Sequence, residues 1–104
     1  MADIGPEVGR VSTCQQIAYT ASSAAIGNAF GAQTYWIRLA ANSACHYKIG
    51  DGAQTAQTSD PFLPANWVEA VKVQPGQRIA AIRASSNGLV TATDGTLSVT
   101  ELTN

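Results

Sequence analysis

The chain has 104 residues, of which only 12% are charged, and 6 Lys and Arg nearly balance 7 Asp and Glu. This length predicts one domain, and the near-neutral charge argues against direct nucleic-acid binding, which requires a basic patch. Hydrophobic residues make up 45% of the chain, but 18 of them are Ala, so 29 larger apolar side chains remain to build one modest core.

The first third of the chain has weak strand patterns. Residues 16–20 are predicted to form a short strand, and residues 24–30 a weak strand rich in small side chains. A short helix over 22–30, capped by Ser22 or Ser23, is the alternative. Residues 1–15 are interpreted as an N-terminal arm or first strand, and residues 16–104 as the domain.

The middle of the chain contains the clearest alternation. Residues 34–40 and 44–49 each alternate with period two, and a turn over 41–43 separates them, which predicts a hairpin. Phe62 and Leu63 lie between Pro61 and Pro64. Because proline has no N–H and a fixed φ, we expect this pair at the edge of a sheet.

The last third repeats the pattern. Residues 67–73 and 78–84 flank a Gln-Pro-Gly-Gln segment, which predicts a second hairpin with a type II turn. The alternation is imperfect near Glu69, which suggests a bulge. A turn over 85–88 and a strand over 96–102 complete a total of seven or eight antiparallel strands. The sequence therefore predicts an all-β, single-domain β-sandwich or jelly roll.

Candidate chemistry is sparse. Cys14 and Cys45 are predicted to be small buried side chains in a reducing compartment. His46 is the only histidine, and adjacent strand residues point to opposite faces, which rules out a dyad with Cys45. Three soft ligands are too few for structural zinc, and the Asp residues at 51, 60 and 94 are expected to cap turns. We expect no catalytic, cofactor-binding or metal-binding residues, and no enzyme activity.

The N-terminus lacks the basic start and apolar stretch of a signal peptide. No apolar run approaches the ~20 residues that cross a bilayer. We therefore expect a protein made in the cytoplasm, with no membrane partner.

Trp36 lies on the opposite face of its predicted strand from Ile37 and Leu39. Two apolar faces on one strand exceed what a single core covers, so the second face is expected to contact another subunit or a larger partner. The predicted contact residues are Trp36, Arg38, Phe62, Leu63 and Trp67.

Five segments occur in a recognisable order and spacing: residues 35–39, 44–50, 63–66, 73–80 and 95–102. Over roughly residues 16–103, this order resembles a group of small virion proteins of tailed bacteriophages. The resemblance implies a capsid decoration, or cement, protein with a β-sandwich or jelly-roll fold, and it brings no catalytic or metal-binding residues.

The expected partners are the major capsid protein or another virion protein, together with further copies of the chain, a trimer being favoured. The expected location is the virion, assembled in the host cytoplasm. Two alternatives stay open: a tail, fibre or head–tail adaptor domain, and a carbohydrate-binding module that stacks host glycans on Trp36, Trp67 or Tyr47.

Overall fold

Eight β-strands form two antiparallel four-stranded sheets in the computed structural model, which describes residues 10–85 and 93–103. Sheet I has the strand order β1-β8-β3-β6, and sheet II the order β2-β7-β4-β5. This arrangement confirms the predicted all-β sandwich. The strands are β1 (Arg10–Tyr19), β2 (Ala24–Ala25), β3 (Thr34–Ala41), β4 (Cys45–Asp51), β5 (Phe62–Leu63), β6 (Trp67–Lys72), β7 (Gln77–Arg83) and β8 (Gly95–Thr103).

Alternate residues of both sheets fill one core between them. Burial of each large aliphatic side chain contributes about 1.5–3 kcal/mol, so these positions supply most of the stabilising free energy. Buried and more exposed residues alternate in β3 from Ile37 and in β4 from Cys45, as the period-two pattern predicts. The fully buried side chains include Ile17, Tyr19, Ile37, Leu39, Cys45, Leu63, Ile79 and Leu97.

Neither predicted hairpin forms. β3 pairs with β6 and β8, whereas β4 pairs with β5 and β7, so the turn after β3 carries the chain from sheet I to sheet II. β6 and β7 are divided between the sheets in the same way. Strands that pair side by side and strands that face each other across a core show the same alternation, so the pattern did not distinguish them.

The predicted type II turn is confirmed within the second crossing. Gly76 has a φ of 86°, and the Gln77 N–H donates to the Gln74 carbonyl oxygen at 3.2 Å. Glycine suits this position because the third residue of a type II turn requires positive φ. The chain thus reverses tightly at Gln74–Gln77 while it passes between sheets.

The N-terminal third is extended. The helix considered over 22–30 does not form; Ile26 and Phe30 donate backbone hydrogen bonds to β7, at 3.1 and 2.9 Å. β1 begins at Arg10, so residues 10–15 belong to the first strand. None of the described residues forms a helix long and apolar enough to cross a membrane.

Two further predictions concern irregularities. No bulge occurs near Glu69, because β6 pairs with β3 in one continuous register. The register shifts lie instead between Val11 and Cys14 in β1, and between Thr34 and Trp36 in β3. The turn predicted over 85–88 falls, from residue 86 onwards, outside the described residues.

A buried tyrosine holds the first crossing between the sheets. The Tyr19 hydroxyl donates to the Ser43 carbonyl oxygen at 2.5 Å, and the Ser43 hydroxyl donates to the Thr93 carbonyl oxygen at 3.0 Å. The Thr96 N–H donates to Asn42 Oδ1 at 2.9 Å. These bonds tie the turn at Asn42 and Ser43 to β1 and to the start of β8.

A buried carboxylate closes the opposite end of β3. Glu101 faces the core from β8, and its Oε1 accepts the Gly31 N–H at 3.0 Å and the Thr34 hydroxyl at 2.5 Å. Hydrogen bonds to a charged group contribute about 1.5–3 kcal/mol each. The carboxylate therefore fixes the turn that leads into β3, at a position where alternation alone would predict an apolar side chain.

Buried ionisable groups also link the sheets near β6. The Tyr47 hydroxyl of sheet II donates to Glu69 Oε1 of sheet I at 3.0 Å. Burial, reinforced by this carboxylate, raises the pKa of Tyr47 to about 12, and burial raises the pKa of Cys45 to about 11. Both groups are therefore held in their neutral forms in the folded chain.

Gly95→Ala is predicted to lower the free energy of unfolding by about 2–4 kcal/mol. A Cβ at Gly95 would collide with the Ser43 hydroxyl and lie 2.5 Å from Asn42 Oδ1. Urea denaturation measures the loss. Gly27→Ala is the matched control, since a Cβ there meets nothing within 4 Å, and its stability should stay within about 0.5 kcal/mol. Equal stability of the two variants would contradict the account of the crossing.

Stability is predicted to fall at alkaline pH. The unfolded chain loses the Cys45 and Tyr47 protons near the ordinary values of 9.0 and 10.0, while the folded chain retains them to about 11 and 12. The unfolded state thus binds fewer protons above pH 9, and the free energy of unfolding decreases as the pH rises through this window.

Urea denaturation at pH values from about 8 to about 11.5 tests this prediction, because the folded and unfolded states bind different numbers of protons across this range. Tyr47→Phe should lose about 1–2 kcal/mol at pH 8 and show a shallower alkaline decline. Tyr35→Phe is the control, because Tyr35 is exposed. An identical pH dependence of wild type and Tyr47→Phe would refute the role assigned to the Tyr47 hydroxyl.

Candidate binding surface

Part of the outer side of sheet II is covered by the chain itself. Ala80 faces outward from β7 yet is fully buried. The loop over 52–61 provides the cover: the Ala56 N–H donates to Ser23 Oγ at 2.8 Å, and His46 Nδ1 contacts the Asp60 carbonyl oxygen at 2.8 Å. Small side chains such as Ala56, itself buried, let this loop lie close to the strands.

The outer side of sheet I has a flat layer of side chains, which we call the sheet I face. The strand registers arrange it in three rows across β1, β8, β3 and β6. Two of its members are basic, and none carries a carboxylate. The rows are Val11, Leu102, Trp36 and Lys72; Cys14, Thr100, Arg38 and Ala70; and Gln16, Ser98, Ala40 and Val68.

Apolar surface on the sheet I face remains open to solvent. Val11 is 65% and Val68 59% exposed, and Trp36 is half-buried between Leu102 and Lys72 in its row. Arg38 is exposed at the centre, and within the described residues it forms no ion pair. An unpaired guanidinium beside an aromatic side chain is the composition found at protein–protein contacts.

The five predicted contact residues divide between different surfaces. Trp36 and Arg38 lie together on the sheet I face. Trp67, 59% exposed, lies on the opposite side of β6, at its first residue. Phe62, 44% exposed, belongs to β5 of sheet II, where its ring lies 5.4 Å from that of His46. Leu63 is fully buried, so it has no surface to offer a partner.

Two other expectations about side chains need correction. Tyr47 is buried in the core and bonded to Glu69, so it presents no platform for a sugar ring. Cys14, expected to be buried, is exposed because it faces outward on an edge strand. Hydrogen bonds from Ser98 and Thr100 lower the pKa of the Cys14 thiol. Cys45 is buried as predicted.

Sequence reasoning missed Val11, Val68 and Ala70 as surface members. Val68 and Ala70 alternate with Glu69 and Val71, so their outward direction was readable from β6. The sequence does not indicate in the same way that the 52–61 loop lies over sheet II. The position of this loop is what distinguishes the two outer sides. The alternation in the sequence therefore indicates which residues lie on the sheet I face, but not that this face is exposed to solvent.

Cys45 and His46 do not come together in the structure. Cys45 points into the core while His46 lies on the outer side of sheet II, as predicted. Among the described residues, no three His, Cys, Asp or Glu side chains come together as metal ligands. Asp60 caps its turn by accepting the Gln57 N–H at 2.7 Å, whereas Asp94 pairs with Arg83 at 2.7 Å.

Comparison of the chain with protein-family models, with curated proteins and with solved structures finds no match. The sheet I face is therefore interpreted from its own residues.

Proposed function

We propose that this chain is an accessory structural protein of a bacteriophage virion, a capsid decoration protein that binds the assembled head through the sheet I face. One observation carries the proposal: among the described residues, a loop lies over the outer side of sheet II, whereas no segment lies over the sheet I face. The order of segments that resembles small phage virion proteins supplies the identity of the partner.

The charge of the sheet I face indicates what the partner presents. Arg38 and Lys72 are its two charged members, and both are basic. An apolar surface that carries a carboxylate near its centre complements this pattern, because a guanidinium binds a carboxylate through two parallel hydrogen bonds. The major capsid protein is the proposed source of that surface.

Binding of this kind stabilises the head by mass action. A protein that binds the assembled shell but not its separated subunits shifts the equilibrium toward the shell. The exposed Val11 and Val68 side chains and the half-buried Trp36 would lose contact with water in the complex, which contributes about 25 cal/mol per Å² of apolar area. No catalytic group is needed for this role.

The alternatives differ in what they require. An adaptor in the tail uses the same surface but occurs in few copies per particle, so a copy-number measurement separates it from a decoration protein. A glycan platform requires aromatic rings on one surface. Trp36 and Trp67 lie on opposite sides of sheet I, and Tyr47 is buried, so no observation favours that function.

Heads that lack this chain are predicted to release their DNA at a lower temperature than heads that carry it. Adding the purified protein back should restore the higher temperature. Arg38→Glu should weaken binding to bare heads about thirtyfold or more, equivalent to about 2 kcal/mol or more, because the introduced carboxylate faces the partner's own. A fluorescence or sedimentation assay on bare heads measures the binding.

Lys48→Glu is the control with the same change of charge, since Lys48 is exposed on the outer side of sheet II. It should bind like the wild type. The proposal fails if heads with and without the chain have equal thermal stability, or if the protein does not bind heads. Equal effects of the two substitutions would place the contact on another surface.

A further inference from the structure

Each sheet of a sandwich ends in two edge strands, whose outward backbone groups can pair with another strand. Natural proteins prevent this with very short edge strands, prolines, bulges, charged side chains or covering segments. Here the described residues place β1 and β6 at the edges of sheet I, and β2 and β5 at the edges of sheet II.

Three of these edges carry such protection. β2 and β5 have two residues each, and Pro61 and Pro64 flank β5. β1 has a register shift between Val11 and Cys14. Its Gln15 side chain also exchanges two hydrogen bonds of 3.1 Å with the Asn28 backbone, which holds the 27–29 segment against the strand.

Among the described residues, no covering segment lies on β6, and its protection is limited to the charged residues Glu69 and Lys72. It runs for six residues without proline and pairs with β3 in one unbroken register. Two large apolar side chains at its start, Trp67 and Val68, are each 59% exposed. A continuous edge strand with exposed apolar side chains is a site for strand addition.

The backbone direction of β6 follows from its pairing with β3. The Val73 N–H donates to the Tyr35 carbonyl oxygen at 2.9 Å, so residue 73 points its polar groups toward β3. Because successive residues of a strand alternate, Val68, Ala70 and Lys72 point their N–H and C=O groups away from the sheet. These three residues form the pairing edge.

We infer that a second copy of this chain adds its β6 to this edge, antiparallel, about a two-fold axis at Ala70. The charges and the length of β6 select this register. Axes at Glu69 or Lys72 would place like charges opposite each other, which is destabilising. An axis at Val68 pairs only residues 67–69 of β6, and an axis at Val71 only residues 70–72, whereas the axis at Ala70 pairs residues 68–72 of both copies.

The Ala70 register is self-complementary in each of its pairs. Ala70 faces its counterpart, and Val68 faces Lys72 of the second copy, so every outward N–H and C=O of the pairing edge has a partner. Exposed Trp67 comes to lie diagonally beside Val71 of the second copy. The result is one continuous eight-stranded sheet with an isologous contact. The trimer that was expected from the sequence would need a different contact between subunits.

The first test is the mass of the free protein. Light scattering or sedimentation over a range of concentrations should give a dimer for the wild type. Ala70→Lys places two charges opposite each other at the axis, and it should weaken dimerisation about tenfold or more, equivalent to about 1.4 kcal/mol. Ala18→Lys is the matched control, because Ala18 is an exposed alanine on the protected edge strand β1. It should remain a dimer.

The second test fixes the register and does not require a weakened dimer. In a Cys14→Ser background, Ala70→Cys should form an intermolecular disulfide under mild oxidation. Opposed Cα atoms of a hydrogen-bonded pair are about 5.5 Å apart, within the range of about 4.4–6.8 Å that disulfides span. Val68→Cys alone should not cross-link, but a mixture of Val68→Cys and Lys72→Cys should.

A monomer at all concentrations, a trimer, or cross-linking of Ala70→Cys no faster than Val68→Cys would overturn the inference. If Ala70→Lys fails to fold by circular dichroism, the cysteine variants still decide. The contact belongs to the free protein and does not rest on the virion role. Failure to bind heads would leave the dimer intact, and a monomeric protein could still bind heads.

Discussion

The hydrogen bond from the Tyr19 hydroxyl to the Ser43 carbonyl oxygen is the interaction on which the topology depends. It anchors the turn after β3 against β1, so the chain leaves sheet I and continues in sheet II instead of pairing with the strand it has just formed. β3 is then free to pair with β6 and β8. Gly95 lies where any Cβ would displace this anchor, so one glycine and one buried hydroxyl together hold the crossing that separates β3 from β4.

The second constraint is the small supply of large apolar side chains. One core between the sheets uses most of them, and two outer sides remain. On sheet II, the 52–61 loop is hydrogen-bonded to Ser23 beside β2 and to His46 of β4, and Ala80 of the intervening β7 is buried. On sheet I, no described segment covers Trp36 and its neighbours. The hydrophilic groups on this outer side include Arg38, Lys72 and hydroxyl side chains. The two outer sides therefore differ: a loop of the chain lies over that of sheet II, whereas that of sheet I is suited to a partner.

Alternation in the sequence predicted the orientation of side chains well, because period two is a property of each strand alone. Ile37 and Leu39 share one side of β3 as expected, and both face the core. It did not predict pairing, since a hairpin and a crossing between sheets place the same residues inward. Leu63 and Phe62 show the same limit for the candidate site: both were expected at a surface, but their alternation across β5 buries one and exposes the other. Exposure of the sheet I face depends on which segments lie over it in the folded chain, which no local pattern reports.

The sheet I face and the β6 edge use different parts of the same strand. Side chains of Val68, Ala70 and Lys72 project perpendicular to the sheet, whereas their N–H and C=O groups lie in its plane. Strand addition therefore leaves the face open, and a two-fold axis at Ala70 places two copies of the face side by side in one layer. Once one copy of such a dimer binds a regular protein shell, the second binding event is intramolecular, with an effective concentration of roughly millimolar for closely linked sites. A face of modest affinity would then be sufficient for stable attachment, provided that the spacing of sites on the shell matches that of the dimer.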